Sequence, residues 1–172
     1  MRLLLLRHAK AEKAEPGLAD RDRHLNAKGR ADAPRIGAYI AHHALLPDTA
    51  LVSPACRTRE TFEGLTEAWP AACPVNYVDR LYNAGTEAIT KIIKEASGRV
   101  LLVVGHNPGL HETARLLIAS GDVEARERLN EALPTSGLAV IDFPGNDWRK
   151  LHSASGRLER FVTPRLLKAA AE

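Results

Sequence analysis

A chain of 172 residues, 45% of them apolar and 26% charged, has the size and balance of one globular domain with a substantial core. Its net charge of +3, from 24 basic and 21 acidic residues, is too small to mark a nucleic-acid-binding surface by itself. Two cysteines, Cys56 and Cys73, make neither a disulfide framework nor a cysteine zinc site; a reducing cytosol fits, and both read as small buried apolar residues.

Four consecutive leucines, Leu3 to Leu6, closed abruptly by Arg7-His8, predict a strand covered on both faces. The run is shorter than the ~7–15 apolar residues of a signal-peptide core, and no stretch approaches the ~20 of a membrane span. A soluble, cytoplasmic protein without membrane or nucleic-acid partners is expected. Residues 11–23, with Pro16-Gly17, read as a loop. Residues 26–44 turn helical, with Asn26 as N-cap, Ile36, Tyr39 and Ile40 on one face, and Pro34 expected to kink or divide the helix. A short strand at 50–52, a helix over 57–69 and a third strand at 75–78 follow. Thr86 is the expected cap of a helix over 86–96, with Ile89, Ile92 and Ile93 as its buried stripe.

Residues 100–104 form the second all-apolar strand, broken by Gly105-His106-Asn107-Pro108-Gly109. The next helix runs to about Ala119 with Pro108 in its first turn, and 124–133 is a polar helical insert. Segments 137–143 and 148–155 read as two strands joined by a turn, and Thr163-Pro164 opens a short final helix. This alternation predicts one α/β domain over 1–172: a three-layer sandwich with a mostly parallel central sheet, helices on both faces and a terminal antiparallel pair.

Three strand ends look alike. The first closes with Arg7-His8, the second with Ser53-Pro54-Ala55-Cys56-Arg57, the fourth with Gly105-His106. In open α/β sheets, ligands bind beyond the carboxyl ends of parallel strands. Singly, Arg7-His8 reads as a solvated loop, Gly105-His106 as a turn and Arg57 as a surface charge. Together at one sheet edge, two arginines and two histidines suit a tetrahedral dianion, because guanidinium forks pair bidentately with phosphate oxygens. The helix beginning near Pro108 would aim its N-terminal dipole at the same edge.

Arg7-His8-Ala9, Ser53-Pro54-Ala55-Cys56-Arg57 with Thr61 four residues on, and Val104-Gly105-His106-Asn107-Pro108-Gly109 resemble the motifs of the histidine phosphatase superfamily, whose fold is phosphoglycerate mutase-like. Most members have Arg-His-Gly at the first motif; Ala9 is similar instead to the SixA-type phosphohistidine phosphatases. Asp20, Arg23, Leu25 and Gly29, and then Asp79-Arg80-Leu81-Tyr82, match further motifs of that branch. The resemblance implies that His8 is the nucleophile of a phosphohistidine intermediate. It places Arg7, Arg57 and His106 as clamps on the phosphoryl oxygens, with Arg23 among the substrate-binding residues. It requires no metal and no cofactor.

Mutase-type members carry a glutamate acid in an insertion that has no counterpart between Tyr82 and Ala88. Asp20, Asp22 and Glu87 are candidate proton donors, each readable as a surface carboxylate. A leaving nitrogen needs less protonation help than an alkoxide, so the missing acid tilts the expectation toward N–P bonds, with protein phosphohistidine preferred. A small phosphorylated metabolite is the runner-up, and a non-catalytic phosphate-binding module the rival from another class. A metal-dependent phosphoesterase using His8, His106 and His111 lacks a His-Glu-x-x-His pair. Cysteine chemistry fails because Phe62 and Asp79 stand where an arginine would follow Cys56 or Cys73. Residues 120–172 carry no recognised motif, and nothing in the sequence fixes the oligomeric state.

Overall fold

Alternate side chains of a strand point to opposite faces, and the leucine run divides accordingly. Leu3 and Leu5 belong to one hydrophobic cluster, Leu4 and Leu6 to the other, all four fully buried. In the computed structural model, which describes residues 1–171, this strand is β1 (Arg2–Arg7). It pairs in parallel with β4 (Val100–Gly105), whose run of aliphatic residues is buried on both sides for the same reason. Beyond β4 lie β2 (Thr49–Val52) and β3 (Val75–Tyr77), also parallel.

On the other flank of β1 stands β6 (Leu138–Asp142), antiparallel to both β1 and β7 (Gly156–Val162). The outer strand β5 (Ile118–Gly121) runs parallel to β7, completing the order β3-β2-β4-β1-β6-β7-β5. The predicted mostly parallel sheet is what forms.

The helices cover both faces. On the side of Leu4 and Leu6, α1 (Ala27–His42) contributes Ile36 and Ile40, and α2 (Cys56–Thr66) contributes Phe62 and Leu65. The last helix, α6 (Pro164–Ala171), adds Leu167 to that layer. On the side of Leu3 and Leu5, α3 (Thr86–Lys94) brings the expected Ile89, Ile92 and Ile93 stripe. With it pack α4 (Gly109–Leu117) through Leu110, Ala114 and Leu117, and α5 (Val123–Glu131) through Ala125 and Leu129. The chain thus leaves β1 toward one face and β4 toward the other. That divergence opens a crevice between two neighbouring strand ends, where ligands of such sheets bind.

Local chemistry explains most boundaries. Asn26 caps α1 by accepting from the Gly29 amide at 2.9 Å. Pro34 does not divide this helix, which is continuous from Ala27 to His42. The carbonyl its missing N–H would have met belongs to Arg30, on an exposed turn that water can serve. Three other expectations fail. Thr86 is the first residue of α3 rather than its cap, Gly85 holding that place without a side-chain bond. The helix expected to reach Ala119 stops at Leu117, because 118–121 extend into β5.

The strand expected over 148–155 is also absent. Trp148–Lys150 is one turn of 3₁₀ helix with Trp148 buried, its indole N–H donating to the Gly98 carbonyl at 2.8 Å. The partner of β6 is instead β7, where exposed Arg157 and Glu159 alternate with buried Leu158. Among the described residues, no helix is long and apolar enough to cross a membrane.

The segment following β1 is stitched to the start of α1. The Asn26 amide donates to the Lys10 carbonyl at 3.0 Å, and a Cβ on buried Gly29 would strike the Lys10 backbone. Gly29→Ala should therefore destabilise the fold by about 1–3 kcal/mol in urea unfolding, as overpacking does, although alanine is the better helix former. A neutral or stabilising effect would show that this contact yields freely.

Candidate active site

The site grows from strand register. Arg7 stands opposite Gly105, so the next residues of β1 and β4, His8 and His106, emerge side by side. The His8 amide donates to the Gly105 carbonyl at 3.1 Å, and the Ser53 amide to the Val104 carbonyl at 3.0 Å. The ends of β1, β4 and β2 are thereby locked in line. The two imidazoles lie with ring centroids 5.4 Å apart. His8, His106 and Arg57 are all buried, Arg57 to 4% exposure in the first turn of α2.

Hydrogen bonding sets the tautomers. His8 Nδ1 lies 2.7 Å from the Ala9 carbonyl, which can only accept, so Nδ1 carries the proton and Nε2 keeps its lone pair. His106 Nδ1 accepts from an Arg57 terminal nitrogen at 3.3 Å, and its Nε2–H donates to Ser53 Oγ at 2.7 Å. Tyr82 stands edge-on to the His106 ring. Thr61 ties two of the three segments together: its hydroxyl accepts from the Ala9 amide at 2.9 Å and donates to the Arg57 carbonyl at 2.6 Å.

A third wall comes from residues 133–137. Arg7 and Asn107 Nδ2 both donate to the Leu133 carbonyl, at 3.2 and 2.8 Å. The Ser136 amide donates to the carbonyls of Arg7 and His8, each at 3.1 Å. Ser136 itself sits at φ 59°, a strained conformation for a residue with a side chain. Inside this enclosure Arg7 Nε, Arg57 Nε and Ser136 Oγ are buried without a protein partner. Buried donors are normally satisfied. Two guanidinium N–H groups and a hydroxyl suit an oxyanion, whereas Asn107 Oδ1, also buried without a partner, is an acceptor.

Burial pushes the His8 imidazole down to about 4, partly offset by its bond to Ala9 and reinforced by Arg57, Arg7 and Arg23. Burial, then Arg57, push His106 down to about 3. Both rings are therefore neutral at physiological pH. For Asp20 a lowered pKa means a charged group instead: the Tyr82 hydroxyl, with Arg23 and Arg57, holds its carboxyl well below the ordinary range.

The structure brings Arg7, His8, Arg57 and His106 together. Arg23 does not join them directly. Its Nε and terminal nitrogen donate to Asp20 Oδ1 at 3.1 and 2.9 Å, and it reaches the cluster only through that carboxylate. Asp20 is bound to Arg57, Arg23 and Tyr82 and is held ionised, so in this state it has no proton to donate. Asp22 and Glu87 are exposed, and among the described residues neither side chain bonds to the cluster.

Ser53, Thr61 and Tyr82 lie in motif segments, but the sequence alone gives them no role. The same holds for Asn107 and Ser136, the latter signalled only by a Pro-Thr-Ser-Gly turn before a strand. Among the described residues, no three His, Cys, Asp or Glu side chains gather as a metal cage.

The profile of the histidine phosphatase superfamily (branch 1) matches residues 3–86, from β1 to the start of α3. An uncharacterized protein of Mycobacterium leprae, ML1117, is 36% identical over 166 residues, spanning 93% of this chain and all of that protein. The crystal structure of SixA from Agrobacterium tumefaciens has a TM-score of 0.81 at 35% identity, over 95% of this chain and 97% of that one. SixA from Nakamurella multipartitia reaches a TM-score of 0.82 at 27% identity, over 95% of each chain. Both SixA proteins are provisionally described as phosphohistidine phosphatases. The chain belongs to the histidine phosphatase superfamily.

The depressed imidazoles make a two-part prediction. In an NMR titration of the free protein, the His8 ring should stay neutral down to about pH 4; a midpoint at the ordinary 6.5 would contradict its buried, arginine-flanked setting. Between pH 6.5 and 4 the unfolded chain then binds protons that folded His8 and His106 refuse, so stability should fall as pH falls through that window. The slope should be shallower in His8→Ala.

Proposed function

We propose that this protein is a metal-independent phosphatase in which His8 forms a phosphohistidine intermediate, with protein phosphohistidine as the preferred substrate. The observation carrying the proposal is the bond from His8 Nδ1–H to the Ala9 carbonyl. It places the proton on Nδ1, while burial and the neighbouring arginines keep the ring neutral, so Nε2 is the nucleophile beside two arginines with unpaired buried donors. Membership of the histidine phosphatase superfamily supports the reaction class. Likeness to the two SixA proteins supports the substrate class.

In the first step the Nε2 lone pair attacks phosphorus, and the bond from phosphorus to the leaving nitrogen breaks with its electron pair going to that nitrogen. When the leaving ring is a protonated imidazolium, it departs as neutral imidazole without any acid from the protein. In the second step water attacks phosphorus, the P–Nε2 bond breaks, and phosphate is released with His8 restored. Arg7 and Arg57 supply fixed positive charge to the equatorial oxygens of a loose, in-line transition state. An arriving phosphoryl dianion raises the pKa of His106, opposing the effect of its burial. The Ala9 carbonyl and Ser53 Oγ hold the two rings in place meanwhile.

Turnover of a phosphohistidine peptide, an aryl phosphate and an alkyl phosphate, all with excess chelator, tests the proposal. Wild type should cleave phosphohistidine fastest and the alkyl ester slowest. His8→Ala should lose at least about 10³-fold on every substrate, as loss of a nucleophile does. Arg57→Ala should lose roughly 10²–10³-fold in kcat, as removal of a transition-state donor does. Equal rates on alkyl phosphate and phosphohistidine would defeat the N–P preference and favour a metabolite phosphatase. Phosphate binding with no turnover of any substrate would leave a binding module.

A further inference from the structure

The loop between β1 and α1 is pinned at its neck and exposed along its length. Ala11 bridges Leu25, the Glu12 amide donates to the His24 carbonyl at 2.8 Å, and the Leu25 amide to Glu60 Oε1 at 2.9 Å. Ala9, Leu25 and Ala33 form a small buried cluster beneath the neck. Residues 12–22 are exposed throughout. Yet the tip of this loop, a single 3₁₀ turn at Asp20–Asp22, reaches into the site.

The contacts at the tip are specific. The Asp20 backbone carbonyl accepts from one terminal nitrogen of Arg57 at 2.8 Å, and Asp20 Oδ2 accepts from the other at 3.0 Å. The Tyr82 hydroxyl donates to the same Oδ2, and Arg23 holds Oδ1 through two nitrogens. One carboxylate thus collects donors from two guanidinium groups and a hydroxyl, the set a phosphoryl group would seek. Both terminal nitrogens of Arg57, a residue 4% exposed, are taken by a residue whose side chain is 47% exposed. A bidentate grip of Arg57 on an oxyanion requires one of those bonds to be given up.

We propose that Asp20 is an internal competitor for the phosphoryl subsite: its carboxylate occupies Arg57 in the empty enzyme, and an incoming oxyanion displaces it and frees the loop tip. This rests on the reading of the Arg7–His8–Arg57–His106 cluster as a phosphoryl site. The competitor weakens binding of any small oxyanion, including inorganic phosphate, the product of the reaction. A substrate carried on a larger leaving group has further contacts with which to displace the latch; free phosphate has none. Asp20 therefore acts as a specificity residue that works through Arg57, favouring product release. Arg21, stacked over the Tyr82 ring at 5.2 Å, moves with the same tip.

Calorimetric titration of inorganic phosphate into wild type, Asp20→Asn, Tyr82→Phe and Arg57→Ala tests this. Removing the competing charge should tighten phosphate binding by about tenfold in Asp20→Asn, as removal of a state that is roughly nine-tenths populated would. Tyr82→Phe should shift affinity in the same direction by less. Arg57→Ala should bind phosphate more weakly than wild type. Unchanged or weaker binding in a folded Asp20→Asn protein overturns the proposal and makes Asp20 a support for Arg57. Phosphate binding that is indifferent to Arg57→Ala overturns the site reading itself, and the latch with it.

Hydrogen exchange on the wild-type protein is a second readout that no folding defect can confuse. Phosphate should speed exchange at the Asp22 and Arg23 amides, which bond to the Ala19 and Asp20 carbonyls within the tip. Slower exchange there would mean that the loop closes on phosphate, contrary to the proposal.

Discussion

The parallel pairing of β1 with β4 is the constraint on which the site depends. Six residue pairs in register, from Arg2 with Val100 to Arg7 with Gly105, leave no freedom in where His8 and His106 emerge. A slip of one residue would turn the leucines of β1 from one core cluster into the other and carry both histidines out of place. Register is held because a slip would draw Arg2 or Arg7 into the buried run, so the boundary between apolar core and charge fixes the position of the site's polar groups. The divergence of α1 and α4 to opposite faces then opens the crevice at that pair of strands.

The site is electrostatically costly, and the fold sustains it with rigid surroundings. Two neutral imidazoles, two arginines and several buried polar atoms without partners are gathered at one edge. Burying polar groups unpaired opposes folding, yet here it prepares donors for charge that arrives with a ligand. Thr61, Ser53 and the backbone of Ser136 hold the cluster against relaxation through bonds that cross between distant segments. Asp20 offsets part of the arginine charge, from a loop that has few other ties to the body of the protein.

Much of this was legible in the sequence because it is local. Apolar runs closed by Arg7-His8 and Gly105-His106 mark two strand ends, and Asn26 marks a helix start. The Ile89, Ile92, Ile93 spacing marks a buried face. What was not legible depends on partners far along the chain. Trp148 and Leu151 follow a turn signal and read as residues of a strand, but they are buried anchors of a 3₁₀ turn, and the partner of the indole, Gly98, is fifty residues away. The true strand, with Arg157 and Glu159 facing out, offers a weaker apolar signal and pairs with β6 through a bulge. Ile118–Gly121 contains Ala, Ser and Gly, poor strand formers that only the neighbouring β7 makes extended. Asp20 read as a surface carboxylate, and by exposure it is one; only its contacts with Arg57 and Tyr82 show that it belongs to the site.

The most direct test of the account is the chemical identity of a trapped intermediate. Wild-type protein mixed with a radiolabelled phosphoramidate, then denatured within milliseconds at neutral pH to preserve the acid-labile P–N bond, should carry label on His8 at Nε2. The same label should be absent from His8→Ala. Label on any other residue, or equal labelling and turnover by His8→Ala, would contradict the claim that the β1–β4 edge presents a nucleophilic histidine.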